Sequence, residues 1–382
     1  MKIFHLIFVI ILLIIVFFAG QTKIQNLRQD AIQQASNNLE LTRDIRIAQL
    51  KSEVKTIYSE IRFWAESQPI RQGMSQILMG WNELSIDPKV TAKKLYITDN
   101  PLFPNYAANY YNAKDGSLYS AQHEKMHKLI RGLTKSRGYY DVFLIANNGD
   151  IIYSVYKEDD YATNLLTGKY KETSLAQGFK EVQENTNLNH VALYDFIPYA
   201  PSNDVASSFI LSSIVDENNK TQGVLAFQLP SESLDKILKS IVNKDKNIII
   251  MAVGPNQILR NRIEGETKEE KQQSSAITKA LEGKTGLDRL ENSNGLTYLT
   301  AYAPFDFSLN ILGNTNKNSW AVIVEQDINE ILAPVNQRIK KWINLLLGLT
   351  LLSLLLSWLL TRGKEDLAIT EEEEKEEEVD IH

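Results

Sequence analysis

The 382-residue sequence contains no cysteine. That excludes disulfides, thiolate metal sites, a cysteine nucleophile and a lipid-modified cysteine anchor, and it leaves either side of a membrane open. A basic field is missing as well: 41 Lys and Arg stand against 47 Asp and Glu, a net charge of −6, and the cations are scattered. Such a surface cannot gather a phosphate backbone, so nucleic acid is not an expected partner. Proline and glycine are absent from Gln21 to Gln68, which removes the usual helix breakers there. With 43% apolar residues the chain can still bury a sizeable core.

Long apolar runs stand at the two ends. Ile3 to Gly20 (IFHLIFVIILLIIVFFAG) and Trp342 to Leu360 (WINLLLGLTLLSLLLSWLL) both approach the roughly 20 residues that span a bilayer. A cleaved signal peptide would carry small residues where Phe17 and Phe18 stand, so an uncleaved anchor is expected. Lys2 precedes the first run, while Arg338, Lys340, Lys341, Arg362 and Lys364 flank the second. Long translocated segments escape the positive-inside bias, so the expectation is a two-pass inner-membrane protein with its central part periplasmic or extracellular. The tail 361–382, with seven Glu around one Lys in EEEEKEEE, reads as a solvated acidic end in the cytoplasm. No output domain fits in it, so a separate cytoplasmic signalling partner is expected.

Helical spacing dominates Gln21 to Gln68. Ile24, Leu27, Ala31, Leu41 and Ile45 form one stripe, and Leu50, Val54, Ile57, Ile61 and Trp64 form a second, out of phase. The first predicts a homodimer seam and the second a face packed on a globular domain. A continuous helix here would reach about 70 Å; two helices broken near Ala48 are the alternative.

Beyond the stalk, "YYDVFLIANNGDIIYSVYKEDDYATNL" (Tyr139 to Leu165) reads as a hairpin around Asn148-Gly149 that ends in a charged cluster. A type I′ turn pairs Leu144 with Tyr153, Val142 with Val155 and Tyr140 with Lys157. Strands follow at Ala192–Ile197, Ser208–Val215 and Gly223–Leu229, and a second, smaller copy of the pattern at Ile248–Val253, Leu296–Ala303 and Trp320–Glu325. Ser231 to Val242 reads as a helical linker with Ser231 as N-cap. The segment HEKMH, His123 to His127, has metallopeptidase spacing, but charged Lys125 and Lys128 and the lack of any His between His127 and His190 argue against zinc.

The serial order GYYDVFLIANNGDIIYSVYKEDDYATNL, YDFIPYAPS, GVLAFQLP, VGPNQILRNR, ALEGKTG, LTAYAPF and WAVIVEQDINEILAPV resembles the extracytoplasmic sensor region of bacterial methyl-accepting chemotaxis receptors, a double Cache domain. The resemblance implies an α/β (α+β) fold: a long stalk helix carrying two PAS-like modules with mixed antiparallel sheets, flanked by two transmembrane helices. The expected division is 3–20 transmembrane helix 1, 21–68 stalk, 69–230 membrane-distal module, 231–244 linker helix, 245–333 membrane-proximal module, 342–360 transmembrane helix 2 and 361–382 tail.

The resemblance further implies chemotaxis or related signal transduction, no enzymatic activity, no cofactor and no metal, with a small polar metabolite bound in the distal module. Amino-acid-binding relatives resemble one another in an Arg-x-Trp-Tyr element after the hairpin, where this chain has DDYATNLLTGKY, and in a strand aspartate that holds an ammonium, matched by Asp195. The expected ligand-binding residues are Tyr140, Tyr153, Lys157, Asp160, Tyr161 and Asp195, with an amine as one ligand class. A truncated receptor or accessory scaffold without ligand is the alternative.

Overall fold

The computed structural model describes residues 2–230, 232–239, 241–243, 246–261, 271–292, 295–307 and 319–379, with side-chain environments from residue 15 to 355 and at residue 358 within these, except 232, 233, 241–243 and 246. The chain divides into two compact units, Leu39–Leu290 with Leu299–Glu325, and Met1–Asn38 with Glu291–Tyr298 and Gln326–His382.

Helix α1 (Lys2–Glu66) is unbroken, as the absence of Pro throughout and of Gly beyond Gly20 allows. Within the larger unit its second stripe is buried at Leu50, Val54, Ile57 and Ile61 and half-buried at Trp64, and Leu39, Arg43 and Ile47 extend the same face toward the N-terminus. Leu41 and Ile45, assigned to the dimer seam, are exposed. Buried Arg43 donates to the carbonyls of Gly286 and Tyr302 at 3.2 and 3.4 Å. In the smaller unit α1 meets α8 (Ile328–Val379), with Arg28 Nη2 donating to Asn336 Oδ1 at 3.1 Å.

After α1 come α2 (Gln68–Leu84), α3 (Pro88–Lys93), a π-helical turn at Lys94–Thr98 and α4 (Leu118–Arg137). Ser117 caps α4 by accepting from Ser120 N, and Gly138, at φ 75°, ends it. Helices α2 and α4 touch through Gly80, where a Cβ would stand 2.6 Å from the Tyr119 backbone. Any side chain there would push the first turn of α4 away.

Strands β1 (Asp141–Ala146), β2 (Ile151–Tyr153), β3 (Val191–Tyr199), β4 (Val205–Val215) and β5 (Thr221–Leu229) form a sheet in the order β2-β1-β5-β4-β3. Both faces are covered. Helix α5 (Ser174–Glu184) lays Leu175, Phe179 and Val182 over Phe143, Ile145, Phe209, Leu211 and Val224. On the other face Met74 of α2 sits against Gly223. The register Leu144↔Tyr153 is as expected, but the turn is different: Gly149 N donates to Ala146 O and Gly149 alone is left-handed, at φ 87°. That is a type I turn closed by a glycine bulge rather than type I′.

The linker is shorter than expected, with α6 (Glu232–Ile237) followed by strand β6 (Ile241–Asn243); Ser231 lies outside the described residues. Strands β7 (Lys246–Val253), β8 (Gly286–Glu291), β9 (Thr297–Asp306) and β10 (Ser319–Asp327) complete a second sheet, β6-β7-β10-β9-β8, under α7 (Ser275–Leu281). Its four strands from β7 to β8 repeat the order of β1-β5-β4-β3. The edge differs, because β6 comes from the linker, while the segment after β7 contributes an isolated bridge, Val253↔Leu259.

The flanking transmembrane helices are not supported. Residues 3–20 and 342–360 are helical, but among the described residues no helix is long and apolar enough to cross a membrane; the side chains of residues 3–14, 356, 357, 359 and 360 fall outside that description.

Candidate functional site

The open end of the first hairpin is built by Asp141. Its Oδ1 accepts from Val142 N at 2.6 Å and Val155 N at 2.7 Å, and its Oδ2 accepts from Tyr156 N at 3.3 Å. A carboxylate thus replaces the strand partner, and β2 ends at Tyr153. The expected ladder pairs Val142 with Val155 and Tyr140 with Lys157 do not form. Instead Lys157 takes φ 58°, its N–H bonds Ser154 Oγ at 2.9 Å, and its side chain turns inward until it is 1% exposed.

The Lys157 amine enters an aromatic cage. Nζ lies 4.7 Å from the ring centroid of Tyr153, 5.5 Å from Tyr161 and 5.7 Å from Tyr96, and it donates to Ser154 O. Tyr119 adds a further wall, its ring centroid 5.7 Å from that of Tyr96. Burial pulls the amine down to about 7, with the Asp141 carboxylate opposing the fall.

The two histidines of HEKMH stand on the buried face of α4, one turn apart and stacked at 5.1 Å. His127 Nε2 contacts Ala108 O at 2.9 Å, and a carbonyl can only accept, so Nε2 carries the proton. Nδ1 therefore accepts from Tyr153 OH at 2.8 Å. His123 Nδ1 donates to Tyr111 O at 2.7 Å, and its buried Nε2 lacks a partner. Burial, with Lys157 adding to it, lowers His127 to about 3 and His123 well below its usual value. Glu124 instead bonds Lys128 and Asn112. The histidines are core members, and among the described residues no His, Cys, Asp and Glu group could hold a metal ion.

A second polar cluster lies along the same chain segment. Asp160 is fully buried, accepts from Tyr199 OH at 2.6 Å through Oδ2, and leaves Oδ1 unpartnered. Burial pushes it up to about 7 against that hydrogen bond. Glu158 accepts from Ser202 Oγ and Tyr140 OH, both at 2.6 Å, and Gln228 Nε2 donates to Ser202 and Ser207 while its Oε1 has no donor.

Of the six expected residues, Tyr153, Lys157 and Tyr161 meet in the cage. Asp160 belongs to the neighbouring carboxyl cluster, and Tyr140 lies on its rim, stacked on Tyr156. Asp195 is elsewhere. It accepts from Arg260 Nε at 3.0 Å and Nη2 at 2.6 Å, and from Trp320 Nε1 at 3.0 Å. In this position it joins β3 to the second sheet and stands apart from the cage. Tyr96, Tyr119 and Arg260 were not foreseen. The 3-4 spacing of Tyr119, His123, His127 and Ile130 on α4 is the signal that could have revealed the cage wall.

No family model and no curated protein matches the chain. Among solved structures it is similar to the sensory domain of the Campylobacter jejuni chemoreceptor Tlp3, at 10% identity and TM-score 0.48 over 80% of this chain and 98% of that one. The ligand-binding domain of the same receptor in complex with L-valine gives 11% and 0.47 over 80% and 97%. The ligand-binding domain of the Pseudomonas fluorescens chemoreceptor CtaA in complex with L-serine gives 11% and 0.39 over 77% and 98%. These neighbours are sensory ligand-binding domains of chemoreceptors.

Two predictions follow from the buried charges. Asp195→Ala leaves the Arg260 guanidinium, whose side chain is 2% exposed, without its counter-charge. It should cost about 3–5 kcal/mol, the range for breaking a buried pair, read as a fall in melting temperature; an unchanged value would refute the structural role. For Lys157 the folded pKa lies below the unfolded one, so above about pH 7 the unfolded chain binds more protons and stability rises with pH. Thermal unfolding should show the melting temperature rising from about pH 7 to about pH 9, by at most about 1.4 kcal/mol per unit. In Lys157→Met the rise should vanish; its persistence would assign it to another group.

Proposed function

We propose that the chain is a membrane-anchored, extracytoplasmic sensor of a small polar metabolite, with its ligand site in the first module and its output passed along α8 to a separate cytoplasmic protein. The observation that carries this reading is the gathering of Tyr153, Lys157 and Tyr161 with Tyr96, Tyr119 and two histidines at one end of the first sheet, beside buried acceptors at Asp160 and Gln228 that lack donors. Unpaired buried polar groups cost stability, so their retention points to a role other than folding. Support also comes from the order of the sequence segments, which resembles a double Cache sensor. The apolar runs 3–20 and 342–360 support the anchoring.

One observation favours the alternative of a scaffold without ligand: the cage is filled by the chain's own lysine. A thermal-shift screen of the full chain against small metabolites separates the two. A ligand at 100 times its dissociation constant adds about 2.7 kcal/mol, and Asp160→Asn should abolish that gain. A ligand response indifferent to Asp160 and Lys157 would move the site, and no response from any metabolite class would favour the scaffold.

The topology is tested separately. Protease added to intact spheroplasts should digest the region from Gln21 to Lys341 while a tag after His382 stays protected. Loss of the tag would reverse the orientation.

A further inference from the structure

The cage has the chemistry of a site for an amine. All four tyrosine protons are committed elsewhere. Tyr96 donates to Ser120 Oγ at 3.2 Å, Tyr119 to Ile152 O at 2.7 Å and Tyr153 to His127. Because the Tyr119 proton is used, the 2.7 Å contact between Tyr119 and Tyr161 has Tyr161 as donor. The walls therefore offer ring faces and no free O–H, an arrangement that attracts a nitrogen bearing hydrogens and gives nothing to an anion. The acceptors nearby agree: Ser154 O already takes a hydrogen from Lys157, and His123 Nε2, wholly buried, presents a lone pair with no donor.

We propose that this cage is a binding site for a primary amine and that Lys157 is its resident occupant, so that a free amine binds by taking its place. The proposal rests on reading the first module as the ligand-binding one and names the ligand class of that site. The walls do not need Lys157 to hold their shape, since each tyrosine is fixed by its own hydrogen bond. The lysine, by contrast, is delivered by a backbone in the left-handed region at φ 58°, a conformation that a side-chain-bearing residue rarely adopts. Release of Lys157 would relax that residue and free the segment leading to Asp160 and Tyr161. Lys157, in its low-pKa form, donates the same N–H to Ser154 O that a free amine would supply.

The test is chemical rescue on the full chain. Lys157→Ala removes three methylenes and the amine, the atoms of n-propylamine. Its melting temperature should fall, and n-propylamine should restore at least half of the loss in a saturable manner. The isosteric 1-propanol and the anion propionate should not, and wild-type protein should respond less to n-propylamine than the variant does. Equal rescue by 1-propanol would show that the cage is merely apolar space and overturn the proposal, as would absence of rescue by the amine.

Should Lys157→Ala fail to fold, the lack of any native cysteine makes Lys157→Cys the sole thiol in the protein. Alkylation of the unfolded variant with 2-bromoethylamine rebuilds the lysine shape with its amine, and 1-bromopropane gives a propyl arm without a terminal amine. Folding restored by the first and not by the second supports the site; equal stability of the two products rejects it. If the cage takes amines while no metabolite shifts wild-type protein, the sensor reading fails and the cage assignment stands.

Discussion

The carboxylate of Asp141 acts as a short substitute for a strand. By taking the N–H groups of Val155 and Tyr156 it ends the β1–β2 ladder at Tyr153 and satisfies a backbone that would otherwise be buried without partners. The chain is thereby free to turn, and the turn carries Lys157 inward instead of leaving it opposite Tyr140 on the sheet. The cage, the placement of Asp160 beside Tyr199 and the rim contact of Tyr140 with Glu158 all descend from that exchange. Because Asp141 is itself fully buried, burial and the neighbouring Asp160 raise its own pKa well above the usual value. The group that shapes the site is thus also electrostatically tied to it.

Helix α1 supplies the frame on which the site is held. Its buried face from Leu39 to Ile61 is continuous, and Leu50, Val54 and Ile57 share one apolar cavity lining with Leu193, Ile210 and Leu229 of the first sheet and Phe307 just after β9. The second stripe was readable because helical spacing is local: each residue's neighbour on the face is three or four positions away. The same logic made β1, β3, β4, β5, β7, β9 and β10 visible as apolar runs. Strand β6, only IVN, was absorbed into the expected helical linker, and β8, GLDRLE, has its two leucines three apart among charges, so no alternation announces it.

The site was less legible, for a physical reason. Alternation predicts which face a residue takes only while the ladder continues, and no pattern announces that a side chain will replace the ladder. Leu144↔Tyr153 was therefore right, and Tyr140 with Lys157 was not. The walls Tyr96 and Tyr119 lie on elements far upstream, so their convergence is a tertiary fact. The bond of Asp195 to Arg260 was not legible because Arg260 is 65 residues away in VGPNQILRNR, where nothing local marks it as a counter-ion.

That pairing has a consequence for how the chain can be divided. Arg260 comes from the segment after β7 and Trp320 from β10, whereas Asp195 stands on β3, so the ion pair and the indole bond are shared between the two sheets. Separated after Leu238, each fragment would lose the opposite charge and open to water the surface that now covers the pair. Although the two sheets look like tandem repeats, they are not interchangeable parts: recombination that joined either one to a foreign neighbour would have to import the opposite charge at the matching place.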